Sequence, residues 1–261
     1  MDARTGALPK EKKLKKISKV ILLITVGTVF CMNANAKAKK SNKKEIEKQI
    51  ELTKPSDPSD SREIIEKELI NDEKEIYNYV ISVLLQQNKE RNSIKILDGS
   101  YQIEKIPTDK IVCMGNTITE IDSKLTYEEN ANKRKEFFLK QKEGKYEEAF
   151  NSFLENNKIR NNISSFLQKD NRVILTQTVY DKMGEIENGP GKYWEKFFEA
   201  APDTCGYLYL SNIGFDNSKS NAVIEIKFRS GSMSGYVNYL IFGKNKDNKW
   251  EVIDVQRLVS Y

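Results

Sequence analysis

A chain of 261 residues with no histidine must draw any chemistry from serine, lysine, carboxylate or tyrosine groups. The missing imidazole removes Ser-His-Asp triads, His-ligated zinc and histidine proton shuttles. That lowers the expectation of an enzyme and leaves a Ser–Lys dyad or a carboxylate pair. Ser123-Lys124 and Ser218-Lys219 lie in polar stretches and read as surface. No Ser-x-x-Lys is followed by SDN and KTG elements. Glu185 and Glu187 flank Ile186, and Glu195 and Glu199 fall one helical turn apart. Two carboxylates converging in a cleft can do glycosidase-type acid/base work. With 38 Asp+Glu in the chain, however, close pairs arise by chance, and solvated surface is the favoured reading. The phosphate-cradling patterns GxxxxGK[ST] and GxGxxG are missing, and DNSKSN lacks the glycine and closing glutamate of a calcium loop. Gly189, Gly191, Gly231 and Gly235 read as turn or bulge residues. No cofactor and no metal is expected.

The more informative polar positions are Ser211 and Asn212, beside Gly214. If the strand bends at that glycine, both can line a groove with Tyr207, Tyr209, Tyr236 and Tyr239. Tyrosines on an open sheet face suit peptide or glycan binding, because they add contact area at small entropic cost. The competing and favoured reading packs half of these rings under helices with the hydroxyls at the rim. Cys113 and Cys205 are either a disulfide or two buried free thiols, and spacing in sequence does not choose between them.

These residues must be positioned by the elements around them. Asp60 with Glu63 reads as a capping box, opening a helix with Ile65, Leu69, Ile76, Val80, Val83 and Leu84 on one face and ending near Gln87 to Asn92. Ser93 to Leu97 alternates as a strand closed by the turn dipeptide Asp98-Gly99, with short strands at Tyr101–Ile106 and Lys110–Met114. Leu125 to Asn157 is helical in composition, broken at Gly144, with Phe137, Phe138 and Leu139 ending one piece and Tyr146, Phe150, Phe153 and Leu154 striping the next. Arg172 to Leu175 suggests a strand, Thr178 a cap for a helix through Met183, and KYWEKFFEAA a helix ended by Pro202.

GYLYLSNIGF, NAVIEIKFRS, GYVNYLIFGK and KWEVIDVQRLVS are four β-rich runs joined by short polar connectors. In the second, Ala222, Ile224, Ile226 and Phe228 alternate with Val223, Glu225, Lys227 and Arg229, the pattern of a half-buried strand. Short connections imply neighbouring antiparallel strands. The expected fold is α+β: N-terminal helices packed on a C-terminal four-stranded antiparallel meander.

The N-terminus sets the compartment. KKLKKISK, VILLITVGTVF and CMNANA form a lysine-rich start, an apolar run too short to cross a bilayer, and a small-x-small end. Residues 1–36 read as a signal peptide cleaved after Ala36, 37–60 as a disordered Lys- and Pro-bearing linker, and 61–261 as one α+β domain. Cys31 invites lipidation, but Phe30 stands where a lipobox needs a small residue. The segment carries seven of the 43 basic and two of the 38 acidic residues, leaving 36 of each and no net charge in the mature chain. The charge argument for a nucleic-acid partner therefore disappears. Membrane contact is expected only through the signal segment or, as a minority reading, a lipid on Cys31.

The run GYLYLSNIGFDNSKSNAVIEIKF…GYVNYLIFGKNKDNKWEVIDVQRLVS resembles the C-terminal pattern of a bacterial family of exported proteins with no assigned function. That pattern is a Ser-x-x-Gly-Phe turn, an Ala-Val strand, a Gly-rich hairpin, Lys-Trp and a final Ser. EIYNYVISVLLQQ, FNSFLENNK and YWEKFFEAAPDTCG resemble its earlier segments, so the likeness spans about residues 72–260. The resemblance implies architecture and export, and carries over no catalytic residue. Some members carry a cysteine pair flanking the hairpin; Ser230 to Gly235 stands here instead, so no hairpin disulfide carries over. The expected protein is an exported, periplasmic or extracellular, non-enzymatic module that binds a peptide, a glycan or an envelope protein. The alternatives are a small envelope-polymer hydrolase using carboxylates, and a structural or inhibitory partner of a secreted enzyme.

Overall fold

A computed structural model describes residues 64–66, 68–97, 100–115, 125–184, 190–232 and 234–260. The expected signal segment, linker, Cys31, Asp60–Glu63 cap, Asp98-Gly99 turn, Ser123-Lys124 pair and 185–189 loop lie outside these residues. In chain order the elements are β1 (Ile64–Glu66), α1 (Asn71–Gln87), β2 (Glu90–Leu97), β3 (Ser100–Pro107), β4 (Lys110–Gly115), α2 (Tyr127–Lys142), α3 (Glu147–Asn156), β5 (Arg160–Asn162), α4 (Ser164–Leu167), β6 (Val173–Leu175), α5 (Thr176–Met183), α6 (Pro190–Ala200), β7 (Thr204–Leu210), β8 (Gly214–Phe215), β9 (Asn221–Gly231), β10 (Ser234–Lys244) and β11 (Trp250–Ser260).

Helices and sheets are both present, as the α+β expectation requires, but the four-stranded meander is corrected. The sheet has seven strands and is mixed, in the order β11-β10-β9-β7-β4-β6, with β8 paired to β9. The four C-terminal runs do lie side by side and antiparallel. Their outer edge is then extended by β4 and β6, both added parallel. These short apolar segments arrive from far upstream through helices, so no short connector in the sequence announces the pairing. β2 and β3 pair antiparallel as a separate two-stranded sheet, with Leu97 opposite Ser100.

The first helix starts later than its apolar period suggests. Ile64–Glu66 instead pairs parallel with Arg160–Asn162, a long-range contact that local periodicity cannot report. α1 begins at Asn71, where Glu73 accepts a hydrogen bond from the Ile70 N–H at 3.0 Å. Thr126 and Glu129 cap α2 reciprocally: the Glu129 N–H donates to Thr126 Oγ1 and the Thr126 N–H to Glu129 Oε2. Left-handed backbone at Glu143, Gly144 and Tyr146 separates α2 from α3.

The strand period of two sorts the sheet into two faces. On the first, Ile111, Cys113, Leu208, Leu210, Ile224, Ile226, Phe228, Leu240 and Phe242 pack with Ile76, Tyr77, Val80, Ile81 and Leu84 of α1 into the main core. Trp250 Nε1 donates to Asp72 at 2.8 Å and ties the start of α1 to β11. The second face has two separate covers. Val179, Met183, Trp194 and Phe197 of α5 and α6 pack on Val112, Tyr207 and Tyr209. Phe138, Phe150 and Phe153 of α2 and α3 pack on Val223, Tyr239 and Ile241. Gly214 permits the second contact: a Cβ there would stand 2.0 Å from the Phe153 backbone nitrogen.

Candidate functional site

Between the two covers of the second face runs the polar side of β9: Glu225, Lys227 and Arg229. The sequence pattern assigns these residues to solvent. The structure buries Glu225 to 1% exposure and Arg229 to 3%, because β9 is a central strand with helices over both of its faces. A period of two reports that two faces differ, not that one is wet.

Arg134 reaches down from α2 to meet this row. Its Nη1 donates to Glu225 Oε2 at 2.5 Å and to the Tyr239 hydroxyl at 2.7 Å, in a pair with side chains only 2% and 1% exposed. Burial by itself favours loss of the guanidinium charge, but Glu225 and the two hydrogen bonds outweigh it and hold Arg134 firmly protonated. Burial, reinforced by the Glu225 charge, likewise keeps the Tyr239 hydroxyl un-ionised.

Lys227 sits one row further along, paired across the strands with Tyr209 and Val237. Its Nζ lies 5.2 Å from the centre of the Tyr209 ring. Among the described residues no carboxylate lies within ion-pair reach of it. Burial, with the neighbouring Arg229 charge, lowers its pKa to about 8 against the partial support of Glu225. Along β9 and at Arg134, three cationic side chains thus stand beside the buried carboxylate of Glu225.

Beside Tyr209, the hydroxyls of Tyr180, Tyr193 and Tyr207 close a triangle. Tyr180 and Tyr193 are 2.7 Å apart, Tyr207 donates to Tyr180 at 3.1 Å, and Tyr193 and Tyr207 are also bonded. Burial raises all three pKa values. A closed ring of three hydroxyls uses every donor internally and leaves only lone pairs to offer a ligand.

The tyrosine groove, the less favoured of the two readings, does not form. Tyr207 is 2% exposed, Tyr209 8%, Tyr236 5% and Tyr239 0%, and they divide among three packing clusters: Tyr207 and Tyr209 under α5 and α6, Tyr239 under α2 and α3, Tyr236 in the main core. Ser211 and Asn212 are buried structural ties. Ser211 Oγ accepts from the Glu225 N–H at 2.8 Å and donates to the Asn212 carbonyl. Asn212 Nδ2 donates to the carbonyls of Asn156 and Ile159, and its N–H donates to Asn157 Oδ1. They satisfy backbone groups where the chain leaves β7, and present nothing to a ligand. Tyr209 alone of the six retains a role, as the ring beneath Lys227.

The disulfide reading is corrected too. Cys113 and Cys205 are free and buried. Register places Cys113 opposite Leu208, and an irregularity between Lys110 and Val112 separates the two cysteines along β4 and β7. Burial pushes the Cys205 thiol up to about 12 and the Cys113 thiol well above its ordinary value.

Among the described residues, two-carboxylate chemistry finds no geometry. Among the described residues the buried carboxylates are Glu73 and Glu225; Glu73 belongs to α1 on the first face of the sheet and Glu225 lies on the second. Glu195 and Glu199 are exposed on α6. No group of three or more acidic or cysteine side chains among the described residues is placed to hold a metal ion, and no described helix is long and apolar enough to cross a membrane.

No protein-family model, no curated protein and no solved structure matches the chain. Its functional reading therefore rests on the second face of the sheet and on the sequence itself.

Proposed function

We propose that this is an exported, non-enzymatic binding module that takes an anionic group of an envelope ligand on the second face of its sheet. One observation carries the reading: Lys227 is half-buried over Tyr209 with no carboxylate in ion-pair reach among the described residues, beside the buried Arg134 and Arg229. Burying an ammonium without a counterion costs free energy, and an anionic ligand supplies the counterion. The flanking tyrosines add rigid contact area. The lysine-rich leader ahead of an apolar run and Ala34-Asn35-Ala36 supports export.

The test is calorimetric titration of the full chain with acidic envelope fragments and with the same fragments after amidation of their carboxyl groups. The acidic forms bind, the amidated forms do not, and Lys227→Met weakens the acidic forms at least about tenfold, the factor for one charge-assisted contact. Equal binding of acidic and amidated forms overturns the anion reading. Intact mass of the protein recovered from outside the cytoplasm tests export: loss of residues 1–36 supports it, and retention of the full leader overturns the cleavage site.

A further inference from the structure

Arg134, Lys227 and Arg229 differ in how solvent reaches them. Arg134 and Arg229 are 2% and 3% exposed, whereas Lys227 is half-buried and keeps part of its surface in water. A small solute therefore meets this row at Lys227. The strand period sets Glu225, Lys227 and Arg229 on one side of β9, and Arg134 joins them through its pair with Glu225. Three cations stand beside one carboxylate.

The surroundings of the Lys227 Nζ hold down its charge. From β7 the Tyr209 ring gives an ammonium partial support, and Val237 stands opposite on β10. Glu225 attracts the charge but is itself bonded to Arg134. Burial and the Arg229 charge outweigh both, and bring the pKa down to about 8. At about pH 7.5 Lys227 then holds on the order of a hundred times more neutral amine than a solvated lysine. A neutral amine is a nucleophile. With a carbonyl compound it forms an imine, which adds no negative charge to the row. With carbon dioxide it forms a carbamate, which turns one of the cations into an anion, so that two cations stand with two anions.

We propose that Lys227 is a carbon dioxide site, and that its Nζ-carbamate supplies an anion to this row from within the chain. The proposal goes beyond the acidic-ligand reading and shares with it only the missing counterion of Lys227. The ammonium first gives a proton to solvent. The Nζ lone pair then attacks the carbon of CO2, one C–O π pair moves onto oxygen, and Nζ gives a second proton to solvent. One N–C bond forms, two protons are released, and nothing is oxidised or reduced. CO2 is small and uncharged, so a half-buried amine reacts with it without a ligand-sized cavity.

The test is chemical trapping on the folded full chain, with carbon-13 bicarbonate as the source of CO2 and triethyloxonium as the alkylating agent. A trapped carbamate stays on its nitrogen as a labelled ethyl carbamate, which peptide mass mapping locates. Bicarbonate held only as a counterion leaves no tag on lysine. At about pH 7.5 Lys227 carries at least about tenfold more tag than the exposed Lys246. At fixed dissolved CO2 its tag rises as pH increases through about 8. Denaturant brings it down to the level of Lys246, because the fold and not the local sequence sets the amine free. Equal tagging of the two lysines in the folded protein overturns the proposal, as does a tag on Lys227 that survives unfolding. Titration with acidic envelope fragments in CO2-free buffer separates the two readings. Binding without a tag overturns the carbamate and leaves the acidic-ligand reading standing; a tag without binding does the reverse.

Discussion

The two faces of the central sheet are built from the same strands and obey different rules. On the face under α1, β9 contributes Ala222, Ile224, Ile226 and Phe228 to one continuous apolar core. On the other, the same strand contributes Val223, then Glu225, Lys227 and Arg229, and the apolar packing splits into two clusters on either side of them. The first face is stabilised by area removed from water, at about 25 cal/mol per Å². The second gives up part of that gain to enclose charge. A protein selected for stability alone has little reason to enclose three cations and one carboxylate, since a buried ion pair rarely beats well-packed apolar groups of the same volume. The difference teaches where function is to be sought: on the face that is worse as a core.

The comparison breaks most visibly at Arg134. Arg134→Met takes the guanidinium away from buried Glu225, and denaturant unfolding should show a loss of about 3–5 kcal/mol. Adding Glu225→Gln should recover much of it, because the buried carboxylate charge is gone. If the double variant is no more stable than the single one, the second face is an ordinary core and the contrast fails. On the first face, Ile224→Ala should lose about 3 kcal/mol through lost transfer energy and a cavity. No second deletion nearby should restore it; recovery there would mean that the two faces do not differ in kind.

The smallest effect sharpens the role of Lys227. Its folded pKa, about 8, lies below the ordinary lysine value of 10.5. Between those two values the unfolded chain binds more protons than the folded one, so this group makes stability rise as pH increases through that window. Below about pH 8 the penalty of the buried charge is fully present. Lys227→Met should therefore be more stable than the unmodified protein at neutral pH, with the difference shrinking as pH rises from 8 to 10.5 in paired thermal scans. A difference that does not change with pH would place the ammonium in solvent.

Much of the local structure was legible in the residues. The 3.6 period from Ile76 to Leu84, the aromatic stripe of α3 and the four C-terminal runs all follow from spacing. The start of α1 did not, because Ile64–Glu66 is drawn into a pairing with Arg160–Asn162 that only the folded chain brings together. The site was less legible. The tyrosines and Ser211-Asn212 drew attention as polar and aromatic groups near a bend, yet their hydroxyls and amides serve the backbone and one another. The alternation Glu225-x-Lys227-x-Arg229 is plain in the sequence, but it points to solvent because half-buried strands usually carry their charges there.

By itself, then, the sequence determined the element types, the antiparallel order of the four C-terminal strands and the chemistry ruled out by having no histidine. Each depends on local period, connector length or composition. Only the tertiary structure decided that β4 and β6 extend the sheet, that the polar side of β9 lies between two helical covers, and that the cysteines are free thiols. Alternation along a strand states that its two faces differ; what packs on each is set by segments dozens of residues away, and the charged row of β9 leaves solvent only because helices pack on both flanks of it.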